Sequence, residues 1–79
     1  MNKLQQAIEL IEMDEWDQAH ALVQEGDNKY AYLIHALLHR IEGDLSNARY
    51  WYNRANEALP DNSLREETDR LKALIKNHP

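Results

Sequence analysis

Apolar residues recur along this chain at spacings of three and four, the period of one face of an α-helix. Leu4, Ala7, Ile8 and Ile11 predict a first helix over about residues 2–13. Trp16, Ala19, Leu22 and Val23 mark a second, with Asp14 as its N-cap and Asp17 favouring its positive end. Gly26 stands where a helix ending at Glu25 would take a left-handed residue. The strongest periodicity is Tyr30, Leu33, Ile34, Leu37, Leu38 and Ile41, a third helix capped by Asp27 or Asn28. Gly43-Asp44 closes it and opens a fourth carrying Leu45, Ala48, Tyr52, Ala55 and Leu59, which Pro60 stops. Ser63 and Glu66 form a capping box, and a fifth helix runs to about Asn77 with Leu64, Thr68, Leu71, Leu74 and Ile75 on one side. The expectation is an all-α domain of five antiparallel helices joined by very short turns.

The pattern also repeats. A shift of 29 residues places Leu4 on Leu33, Ala7 on Ala36, Ile8 on Leu37, Trp16 on Leu45, Ala19 on Ala48 and Val23 on Tyr52. Each predicted helix carries a small residue mid-length, so that Ala7 faces Ala19 and Ala36 faces Ala48. Two helices approach closely only where their contact residues are small.

On these residues, the stretch from Lys29 to Pro60 resembles one tetratricopeptide repeat (TPR). Tyr32, Ala36, Gly43-Asp44-Leu45, Ala48, Tyr52, Ala55 and Pro60 stand at the family's aromatic, small, turn and terminating positions. His35 and His39 depart from it, where the family has Leu and Tyr. Residues 1–28 resemble an eroded copy through Ala7, Trp16 and Ala19, without the turn glycine. Residues 61–79 resemble a capping helix, because Asp69 and Arg70 leave no apolar face for a further repeat to stack on.

The resemblance implies two helix hairpins plus a C-terminal capping helix in one domain, wound as a right-handed α-α superhelix. It further implies a concave groove presenting Tyr30, Leu33, Leu37, Arg40 and Ile41, flanked by Leu4, Ile8 and Ile11. The Lys and Asn residues with which some members grip a peptide's terminal carboxylate are missing. An apolar groove suits an amphipathic helix, an apolar tail or a second copy of the chain. The expected function is therefore a non-catalytic protein–protein interaction module, a small adaptor or a homodimer. The alternative is a structural or regulatory subunit whose own fifth helix fills the groove. Tyr50 and Trp51 adjoin Tyr52, and three consecutive aromatics cannot all face one core, so the first two are candidate interface residues. Packing of Trp51 under the fifth helix is the competing placement.

Charge narrows the partners. Over residues 1–28 Lys3 stands against seven carboxylates, whereas residues 29–79 hold eight Lys or Arg against seven Asp or Glu. An acidic first third argues against nucleic acid, which is bound by basic patches, and leaves room for a basic partner or head-to-tail self-association. There is no cysteine, no apolar run of about 20 residues and no leader-like opening. A cytoplasmic protein acting away from membranes is expected.

Little suggests catalysis. Apart from Tyr, the hydroxyls are Ser46, Ser63 and Thr68, the first two placed at helix starts, and no glycine-rich loop is present. Glu66 and Glu67 read as an exposed helix start. No enzyme activity and no cofactor are expected. His35 and His39, four apart on one helix face, have a spacing that can seat two metal ligands, and His20 on the neighbouring helix could add a third. Partly buried, hydrogen-bonded imidazoles are the expected role, with no metal assigned. A buried neutral histidine would make the core acid-sensitive.

Overall fold

A computed structural model describes residues 2–77. It contains five helices, α1 (Lys3–Glu12), α2 (Trp16–Val23), α3 (Lys29–Ile41), α4 (Leu45–Arg54) and α5 (Leu64–Lys76), and no strand among the described residues. The fold is all-α. α1 packs chiefly on α2, and α3 on α4. The four alanines at these contacts, Ala7, Ala19, Ala36 and Ala48, are fully buried. α3 touches every other helix and is the centre of the core, which explains why its periodicity is the strongest in the chain. α5 lies across α1 and α3, contributing Leu71 and Ile75 to the same core as Leu33 and Leu37.

The helix ends follow one recurring device. Asp14, Gly43 and Asn56 adopt positive φ of 60°, 85° and 64° just beyond α1, α3 and α4. In each case the next amide reaches back five residues: Glu15 N–H to Leu10 O, Asp44 N–H to His39 O, Glu57 N–H to Tyr52 O. These are Schellman closures, which satisfy carbonyls that a helix end leaves without partners. Asp14 falls on Gly43 in the 29-residue register, so the first hairpin replaces its turn glycine with a residue that tolerates the left-handed region.

Several local expectations change. Asp14 closes α1 rather than capping α2, whose N-cap is Glu15 without a side-chain bond. The α4 stripe continues to Leu59 in the sequence, but the left-handed turn at Asn56 ends the helix at Arg54. Asn28 caps α3, its Oδ1 accepting from Ala31 N–H at 2.9 Å, and the Ser63–Glu66 capping box is present. Gly26 is not left-handed. Its hydrogen instead makes room for Ala31, whose Cβ would lie 2.6 Å from a Cβ added at Gly26. Gly26→Ala is therefore expected to cost about 1–3 kcal/mol through overpacking, read as a lower urea midpoint with unchanged slope.

Candidate functional site

The aromatic residues of α2, α3 and α4 stack in a continuous series. Trp16 and His20, one turn apart on α2, lie face to face with centroids 4.9 Å apart. His20 meets His35 of α3 edge-on at 4.7 Å, and their Nε2 atoms are 3.1 Å apart. His35 lies flat against Trp51 of α4 at 4.0 Å and against His39 at 4.9 Å. Trp16 is fixed in turn by an Nε1–H bond to Leu38 O at 2.7 Å. Tryptophans thus close both ends of a three-imidazole cluster.

His35 and His39 are buried, and His20 is half-buried. One ring nitrogen from each falls within 4.8 Å of the others. His39 Nδ1 lies 2.6 Å from Glu42 Oε1. Burial, then the electrostatic influence of the neighbouring imidazoles His20 and His39, pushes the His35 pKa from 6.5 down to about 4. The unfolded chain therefore binds a proton more readily than the folded one. The stability this contributes is full above pH 6.5 and is lost as pH falls toward 4. A stability loss on acidification, checked by melts at pH 7 and pH 4.5, is the expected consequence.

Trp51 does not lie under α5. Its ring packs on α3, 5.7 Å from Tyr32, with Tyr50 edge-on at 5.2 Å. The Arg54 guanidinium stands over all three rings, 4.7 Å from the centroid of Tyr32, 5.1 Å from Trp51 and 5.9 Å from Tyr50. It also donates to the Tyr32 hydroxyl at 3.3 Å. Tyr50 is 54% exposed. Arg54 follows Tyr50 by one helical turn, and neither it nor Tyr32 is among the partner-binding residues expected from the sequence.

The residues expected to line an open groove occupy four different places. Leu33 and Leu37 are fully buried in the core that α5 completes, so the chain's own helix fills this region. Tyr30 lies at its edge, beside Arg70, Ala73 and Leu74. Ile41 is exposed at the opposite end, beside Ile11 and Leu64. Arg40 is spent on structure: it donates to Asn62 Oδ1 at 2.9 Å, to Asn62 O at 2.5 Å and to the Tyr52 hydroxyl at 3.4 Å.

That network reaches the one fully buried carboxylate among the described residues. Glu67 accepts from Tyr52 at 2.8 Å, from Asn62 at 2.9 Å and from Arg70 twice at 2.8 Å. Arg70 also bonds Glu57 at 3.0 Å. Burial alone would raise the Glu67 pKa, but the bonds from Arg70, Asn62 and Tyr52 outweigh it and hold the pKa below 4.5. Glu67 thereby clamps α5 to α4 and to the loop before it, whereas the sequence suggested an exposed helix-dipole carboxylate. Every buried side-chain nitrogen and oxygen among the described residues has a partner.

No family model, no curated protein and no solved structure matches this chain. No helix among the described residues is long and apolar enough to cross a membrane.

Proposed function

We propose that this chain is a non-catalytic protein–protein interaction module that docks an acidic segment of a partner protein on the outer surface of α4. The supporting observation is the Arg54 guanidinium poised over Tyr32, Tyr50 and Trp51 beside an exposed Tyr50. Arginine and large aromatics in a supported cluster are the residue types that dominate binding energy at interfaces. From Leu45 to Arg54 the helix carries Arg49 and Arg54 and no carboxylate, so the surface complements an acidic partner.

The tetratricopeptide-like residues of Lys29–Pro60 support a helical binding scaffold. The occupied groove favours the form of that reading in which α5 belongs to the core and the partner meets an outer face. A second copy of the chain is one acidic candidate, through residues 1–28.

The test is binding of the partner recovered from the native cell, compared between wild type and Tyr50→Ala/Arg54→Glu. The double variant is expected to lose about 2 kcal/mol or more, roughly thirtyfold in Kd, with its circular dichroism unchanged. Wild-type binding also weakens as salt rises. Equal affinity of the folded variant places the docking surface elsewhere.

A further inference from the structure

We propose that His20, His35 and His39 form a binding site for a divalent transition-metal ion of the zinc class, which staples α2 to α3. Two imidazole nitrogens bound to one tetrahedral ion, each about 2.1 Å from it, stand roughly 3.4 Å apart. The His20 and His35 Nε2 atoms are 3.1 Å apart, already close to that spacing. A hydrogen bond across this distance needs a proton on one of the two nitrogens, which a bound ion would replace. The third donor nitrogen lies within 4.8 Å of both, so His39 closes on the same point by moving at most roughly 1.4 Å.

The independent observation is the second partner of His39. Glu42 Oε1 lies 2.6 Å from Nδ1, a contact that a proton on Nδ1 would satisfy, and that tautomer would leave the Nε2 lone pair as the metal donor. A carboxylate behind a ligating imidazole is the arrangement that orients histidine ligands in metal sites and raises their basicity. Trp16 and Trp51 restrain the rings of His20 and His35 from outside, so two of the three ligands have little freedom to lose on binding. Three imidazoles select zinc, copper, nickel or cobalt over calcium and magnesium, which prefer oxygen donors. His20 is half-exposed, giving the ion a route in and a fourth position for water.

A chain of this size without cysteine has few other ways to add stability beyond its core. The ion would join the first hairpin to the second. It would also fix the ring of His35, on which Trp51 and the α4 aromatic surface rest.

The experiment is titration of chelator-treated protein with zinc chloride and, separately, cobalt chloride. Calorimetry, melting temperature and tryptophan fluorescence report binding, since each tryptophan stacks on a ligand. The expected result is one ion per chain, a melting temperature that climbs with zinc concentration, and visible ligand-field bands with cobalt. His20→Gln is expected to lower the zinc affinity at least about tenfold, and Glu42→Gln about 10- to 100-fold. Glu42 lies at the surface, so its variant tests the site even where a histidine variant unfolds. His78→Asn, which removes the remaining histidine of the chain, is expected to leave binding unchanged. Absence of saturable binding, undiminished binding by Glu42→Gln and folded His20→Gln, or loss of binding in His78→Asn would each overturn the proposal.

Discussion

Glu67→Ala is expected to be among the most destabilising single substitutions in this chain. The carboxylate is fully buried and accepts four hydrogen bonds, two of them from Arg70. Its removal leaves the buried Tyr52 hydroxyl and the Asn62 amide without their acceptor, at about 1–3 kcal/mol for each group left unsatisfied, while Arg70 keeps Glu57. Total stability of a 79-residue domain is on the order of 4–12 kcal/mol, at roughly 0.05–0.15 kcal/mol per residue. One substitution thus takes a large share of the whole. Glu67→Gln keeps the shape and one acceptor oxygen, so it should fall between alanine and wild type. Urea melts followed by circular dichroism give the ordering, and an alanine variant within 1 kcal/mol of wild type would exclude the clamp.

The same residue sets an acid limb. Its pKa is lower in the folded state than the ordinary 4.5, so the folded chain releases the proton more readily. The stabilisation is therefore present above pH 4.5 and disappears as pH falls through the lower folded value. In Glu67→Gln this part of the acid transition should vanish while any loss at higher pH, where His35 begins to matter, persists.

How far the sequence foretells this structure depends on what each residue's signal measures. The alanines at 7, 19, 36 and 48 announce close helix contacts because only small side chains permit them, and all four are buried. The existence of five helices follows from apolar spacing alone. Their ends do not, since Leu59 continues the α4 period and only the left-handed turn at Asn56 cuts it short. Asp14 shows the same ambiguity: aspartate serves equally at an N-cap and in a left-handed closure. Glu67 was hidden by its neighbour, for Thr68 fits the α5 stripe and two adjacent acids suggest a solvated helix start. The available signal was that Glu67 lies four residues before Leu71 and eight before Ile75, on the face that must be covered. The imidazole cluster was half legible. The His35–His39 spacing placed two rings together, and His20 joined them through its position one turn from Trp16. Trp51, which stacks on His35, comes from a third helix, and no local pattern carries that contact.

Leu33→Asp with Leu37→Asp is expected to leave the chain unfolded rather than merely unable to bind. Both leucines are fully buried in the core that Leu71 and Ile75 of α5 complete. Each replacement removes a buried leucine, worth about 2–5 kcal/mol, and puts a carboxylate into an apolar core, which costs several kcal/mol more. The pair together exceeds any plausible stability for a domain of this length. Tyr50→Ala, by contrast, truncates a side chain more than half exposed and should change the urea midpoint little. The contrast separates the two placements of a binding surface. A groove open to partners would accept aspartates at 33 and 37 with the fold intact, and a double variant that melts like wild type would show that α5 does not sit there in solution. Loss of the circular-dichroism helix signal, together with an intermediate cost of about 2–5 kcal/mol for Leu71→Ala, is the result required by a groove already filled from within.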